Sequence, residues 1–110
     1  MTYTLQGDQV RSGVMNTPMK ISLPDIRIMI LCGYPLSTEE CGHQHYDGEG
    51  VKKSLKEAYV WYRIAQCAGN NNVDSLVNYL NTKLIISQRL KLSSRAKQIY
   101  ASALRYEYKA

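Results

Sequence analysis

Phenylalanine is missing from this chain of 110 residues, although nine tyrosines are present. Aromatic packing therefore falls to tyrosine and to the single tryptophan, Trp61. Long apolar runs are missing too: the longest stretch, Ile26 to Cys32, is interrupted by Arg27. A membrane-spanning helix needs roughly 18 or more apolar residues in succession, so no membrane span is expected. Residues Met1 to Val10 lack a basic start and an apolar centre, which predicts no secretory signal and a cytoplasmic location. Met29-Ile30-Leu31-Cys32 is not a lipoprotein cleavage box, because small residues do not precede the cysteine. Three cysteines, Cys32, Cys41 and Cys67, cannot all pair within one chain. An odd count without a signal fits reduced, mostly buried thiols.

Negative charge is nearly absent from the C-terminal third. Residues 77–110 carry Lys83, Arg89, Lys91, Arg95, Lys97, Arg105 and Lys109 against Glu107 alone, a net of +6. Residues 1–76 carry seven basic and eight acidic residues, a net of −1, which leaves the stated +5 overall. The composition, 45% hydrophobic and 21% charged, is that of a folded domain rather than a disordered chain. The length fits one domain or one end of a larger array.

Residues 1–36 are broken by Gly7, Gly13, Pro18, Pro24 and Pro35, and predict an irregular or partly helical segment, with a short helix opening after Pro24. From Ser37 the signals converge. Ser37-Thr38-Glu39-Glu40 and Ser54-Leu55-Lys56-Glu57 both read as capping boxes, each opening a helix. Asp47-Gly48-Glu49-Gly50 ends the first helix, and Val51 plugs the gap between the two. The second helix carries Leu55, Ala58, Tyr59, Tyr62 and Ala65 at helical spacing, with Trp61 and Ala68 widening the stripe. Gly69 closes it. A third helix is predicted from an N-cap near Asn72, with Val73, Leu76, Val77, Leu80 and Leu84 on one face. A last helix is expected to be capped by Ser87 or Ser93, burying Leu92, Ala96, Ile99, Tyr100, Ala103 and Tyr106. The fold class is all-α.

The run from Gly42 to Gly69 resembles the Sel-one-like repeat, a relative of the tetratricopeptide repeat. Gly42, Tyr46, Gly48, Gly50, Val51, Ala58, Trp61, Tyr62, Ala65 and Gly69 stand in register with that pattern. Cys41, Ser37 and Gln66 depart from it, where the family has Leu, Ala and a second Ala. The resemblance implies a repeat unit over residues 37–71, with residues 72–110 as C-terminal capping helices. It further implies a short α/α superhelix that presents a groove, and a non-catalytic adaptor for protein partners in a bacterial system.

Candidate sites stand beside plainer readings. Cys41 and His45 lie four apart on one helix and could hold two corners of a zinc site, although the repeat pattern already explains both as core. A Cys41 or Cys67 nucleophile beside a histidine lacks any sign of an oxyanion hole or an orienting carboxylate. Gly48-x-Gly50 lacks the preceding strand of a phosphate loop. Tyr59, Trp61 and Tyr62 are expected mostly in the core, while Tyr100, Tyr106 and Tyr108 are less constrained, and any of them left exposed would offer contact area to a partner. The basic C-terminal third reads as a solvated face, then as a match to an acidic protein, and last as a nucleic-acid surface, since no nucleic-acid-binding motif accompanies it.

Gln44, Arg95, Arg105 and Tyr108 are the expected partner contacts. No cofactor is expected, and open repeat faces point to a homodimer. The alternative function is an immunity protein that neutralises a secreted toxin. A metal-dependent or cysteine enzyme ranks third.

Overall fold

The computed structural model describes residues 21–32 and 37–106. Among them are five helices and no strand: α1 (Leu23–Cys32), α2 (Thr38–Asp47), α3 (Leu55–Cys67), α4 (Asp74–Asn81) and α5 (Ile86–Arg105). The all-α expectation holds. Of the predicted N-terminal segment, the described part is α1. It opens with Pro24 in its first turn, where the missing N–H costs nothing, and the Ser22 hydroxyl accepts from the Asp25 amide at 3.3 Å. Ile26 and Met29 then pack into the main core beside Trp61, Ile64 and Ile99. Arg27 ties the same helix to the other end of the chain, donating to the Leu104 carbonyl in the last turn of α5.

α2 and α3 form the predicted hairpin. The amides of Gly48 and Glu49 both donate to the Gln44 carbonyl, at 2.8 and 2.9 Å, and this satisfies a carbonyl that the helix end leaves free. The Ser54 amide donates to the His45 carbonyl at 3.0 Å and fastens the returning strand of loop. The two helices approach closely because residue 42 has no side chain: a Cβ there would overlap the Tyr62 ring.

The capping chemistry differs from expectation at four starts. Ser37 occupies the N-cap of α2 but its side chain makes no cap bond. Glu40 is exposed, and the first-turn carboxylate that makes contacts is Glu39, which reaches Asn70 and His43 instead. At Ser54 half of the box is made, with the hydroxyl accepting from the Glu57 amide at 3.2 Å while the Glu57 carboxylate turns to Arg95. α5 begins at neither Ser87 nor Ser93. Its N-cap is Ile85, whose amide donates to the Gln88 side chain at 3.2 Å, and both serines lie within the helix. The start of α4 falls one residue after the predicted cap, at Val73, because the Asn72 amide is held by the Asn70 side chain in a local turn.

α3 is the hub. Ala58, Tyr59, Val60, Trp61, Tyr62, Ile64 and Ala65 are all buried, so apolar contact surrounds the helix instead of lining one stripe. One side, Val60, Trp61 and Ile64, meets Ala96, Ile99 and Ala103 of α5 and Ile26 and Met29 of α1. The other, Ala58, Tyr59, Tyr62 and Ala65, meets Val73, Val77, Leu80 and Leu84 around α4. Helix pairs in broad contact are α2–α3, α3–α5, α1–α5, α3–α4 and α1–α2. α4 and α5 are not among them. α4 is only 8 residues long, and its buried residues Val77 and Leu80 pack in one cluster with Tyr59 and Tyr62 of α3.

Two alanine substitutions test this packing. Gly42→Ala would gain about 1 kcal/mol from helix propensity alone. Overlap with the Tyr62 ring reverses the sign, with an expected net loss of about 1–3 kcal/mol in urea unfolding. Gly69→Ala meets no neighbouring atom but must hold φ near 91°, so a loss of about 1–2 kcal/mol is expected from backbone strain. A stabilised Gly42→Ala variant would contradict the close approach of α2 and α3.

Candidate functional site

The most connected polar group crosses the hairpin. His43 on α2 bonds through Nδ1 to the Tyr62 hydroxyl at 2.8 Å and through Nε2 to Glu39 at 3.2 Å. The other Glu39 oxygen accepts from Asn70 at 2.8 Å. An ionised carboxylate only accepts, so neutral His43 carries its proton on Nε2 and Nδ1 accepts from the phenol. Hydroxyl, imidazole and carboxylate in series have the order of an activated nucleophile. The geometry withholds that chemistry: Tyr62 is fully buried, and burial, then Asp47, Tyr46 and the α2 carboxylates, push its phenol above the ordinary value. The series works as a tie from α2 to α3 and to the loop after α3.

Cys41 and His45 are both buried. The His45 Nδ1 donates to the Cys41 carbonyl at 3.1 Å, one turn back along the helix. Burial, with a smaller push from Glu40, raises the Cys41 thiol from 9.0 to about 12, and this disfavours the thiolate that zinc or an electrophile would need. Among the described residues, no group of three or more His, Cys, Asp or Glu is placed to hold a metal ion. No helix among them is long and apolar enough to cross a membrane.

Polar tips of α3 organise α4 and α5. The Tyr59 hydroxyl donates to Asn81 at 2.9 Å and lies 3.5 Å from the Ser93 hydroxyl. Arg63 donates to Ser93 at 3.2 Å and also to Gln66, whose amide reaches Asp74 at 2.7 Å. Arg95, expected at a partner interface, is engaged within the chain by Glu57 at 3.2 Å. Gln44 is half-buried on α2, Arg105 is exposed on α5, and Tyr108 lies outside the described residues.

The surface that sequence reasoning passed over is the corner between α4 and α5. Ile85 and Ile86 are each 64% exposed, Leu90 67% and Tyr79 46%. The Lys83 ammonium stands 5.3 Å from the Tyr79 ring centre. Ile86 and Leu90 are four apart, and Ser94, Lys97, Ala101 and Arg105 continue the same row along α5. The far half borders a shallow depression of about 520 Å³ lined by Ser94, Lys97, Gln98, Ala101, Ser102 and Arg105. The signal was legible for Ile86 and Leu90, which fall outside the Leu92, Ala96, Ile99, Ala103 stripe, while Ile85 is in phase with it but stands before the helix as its N-cap. Comparison of the chain with family models, with curated proteins and with solved structures finds no match in any of them.

The thiols give a direct check. In the native protein at pH 8, a maleimide probe should label exposed Cys32 far faster than buried Cys41, which should react only on unfolding. The unfolded chain ionises Cys41 near 9.0 and the folded chain near 12, so this contribution to stability is complete below pH 9 and is lost as pH rises from 9 towards 12. Tyr62 acts in the same direction. The urea midpoint should fall above pH 9, and less steeply in Cys41→Ala. Equal labelling of Cys32 and Cys41 in the native state would contradict the burial.

Proposed function

We propose that this chain is a non-catalytic protein-interaction module, and that its contact surface is the α4–α5 corner with the outer face of α5. The observation that carries this reading is the set of large apolar side chains left in water there: Ile85, Ile86, Leu90 and Tyr79. A lone exposed apolar residue has no functional meaning, but several gathered around one corner mark a surface that gains free energy by being covered. The resemblance of residues 42–69 to Sel-one-like repeats supports the same class of function. It does not supply the surface, because the repeat signature fixes core positions and leaves the binding face free to vary.

Affinity capture from native lysate with wild type and with Ile86→Ser/Leu90→Ser tests the proposal. Both residues are exposed, so the variant should keep its helicity and melting temperature. Proteins retained by the wild type and lost with the variant are the expected result. Identical sets of captured proteins, or none from either, would overturn the assignment of this surface.

A further inference from the structure

α5 has two ends of different chemistry on one face. Near its start the solvent-facing row is aliphatic, with Ile86 and Leu90. Towards its end the row holds Ser94, Lys97, Gln98, Ala101, Ser102 and Arg105. The helix carries five basic residues and no acidic one: Arg89, Lys91, Arg95, Lys97 and Arg105. Arg95 is matched within the chain by Glu57. Lys97 and Arg105 are exposed, and neither takes part in an ion pair among the described residues. Between them Ala101 and Ser102 are small, so another backbone can come close. At 1.5 Å per residue the row from Ile86 to Arg105 runs about 28 Å, the length of a helix of about 18–20 residues.

We infer that this face receives an acidic amphipathic helix of a protein partner, lying antiparallel to α5; the inference rests on the interaction-module reading above. The aliphatic end takes the partner's apolar side chains and the basic end takes its carboxylates. Direction follows from the two chemistries. The C-terminus of α5 is the negative end of its dipole and bears Arg105, and the N-terminus of an antiparallel partner is the positive end, where Asp and Glu are favoured. An antiparallel partner therefore places its acidic first turns beside Lys97 and Arg105.

Other occupants fit less well. Residues 1–20 of this chain carry Arg11 and Lys20 against Asp8, a net of +1, so they lack the carboxylates. In a second copy, α2 and its following loop expose Glu40, Asp47 and Glu49 but no large apolar side chain, whereas α1 exposes Ile28 and Leu31 with Asp25 as its one acid. α1 of a second copy thus offers a single carboxylate on a helix of 10 residues, about half the length of the row on α5. Nucleic acid would supply the negative charge, yet the side chains beside Lys97 and Arg105 are Ser94, Gln98, Ala101 and Ser102, with no ring for a base to stack on, and the exposed ring of the corner, Tyr79, is on α4.

The test is fluorescence anisotropy of the full chain with a labelled helical peptide of about 18 residues. Its one face carries glutamates in the N-terminal half and leucines in the C-terminal half. Binding should weaken about ten-fold or more with Lys97→Glu/Arg105→Glu, with Ile86→Ser/Leu90→Ser, and when lysine replaces glutamate in the peptide. Exchanging the two halves of the peptide should weaken it as well. No binding, or equal binding of the lysine peptide, overturns the inference; so does a thymidine oligonucleotide that binds as tightly. Self-association by sedimentation that Lys97→Glu/Arg105→Glu abolishes would assign the face to a second copy instead. If the peptide fails while lysate capture remains sensitive to Ile86→Ser/Leu90→Ser, the acidic helix is wrong and the apolar contact surface stands.

Discussion

Burial of α3 from Ala58 to Ala65, with only Arg63 of that run partly exposed, is the constraint on which the rest of this structure depends. A helix with apolar side chains on all sides cannot lie on a surface, so its neighbours must enclose it. α2 covers it where Gly42 admits the Tyr62 ring. α4 covers the Tyr59 side, α5 and α1 the Trp61 side. α4 and α5 turn their apolar stripes to α3, whereas α1 lies mainly on α5 and reaches the same core through Ile26 and Met29. α1 belongs to this enclosure: without Ile26 and Met29, part of the Trp61 side would face water. Among the described residues the Trp61 indole N–H has no acceptor. An unmade bond of this kind costs about 1–3 kcal/mol, a penalty offset by burial of the ring.

Polar contacts follow the same plan. Tyr59 and Arg63 project their polar tips from a buried helix onto Asn81 and Ser93, so the position of α4 relative to α5 is set through α3. Glu39, His43 and Asn70 do the equivalent for α2, using the Tyr62 hydroxyl as the anchor. The absence of phenylalanine has meaning here. Both large tyrosines of α3 are buried rings whose hydroxyls reach a polar partner on another helix, a role that phenylalanine cannot fill.

Helix existence was legible in the sequence because it rests on local rules. Apolar spacing marked α3, α4 and α5, and Gly48 and Gly69 marked two helix ends, both with positive φ as such ends require. Arrangement was less legible, because it depends on which stripe each helix turns to which neighbour. The run Ala58 to Ala65 matches a repeat pattern and also satisfies a central helix wrapped on all sides, and the residues do not distinguish the two. Cap chemistry failed at Ser54, where Arg95 competed for the Glu57 carboxylate, and at Ser37, where Glu40 stays exposed and the Ser37 side chain makes no cap bond. The α4–α5 corner was overlooked for a related reason. Attention to residues in phase with the core stripe passes over Ile86 and Leu90, whose importance comes from being out of phase.

The arrangement around α3 is tested most directly by native-state hydrogen exchange. If α3 is the hub, amides of Val60 to Ala65 and of Ala96 to Ala103 should exchange only through global unfolding, with one shared free energy and one shared dependence on denaturant. α4 and the first turns of α5 should open at lower cost. A hairpin of α2 and α3 that stays protected while Ala96 to Ala103 exchanges by a smaller, separate opening would contradict the account and favour a stack of independent repeat units.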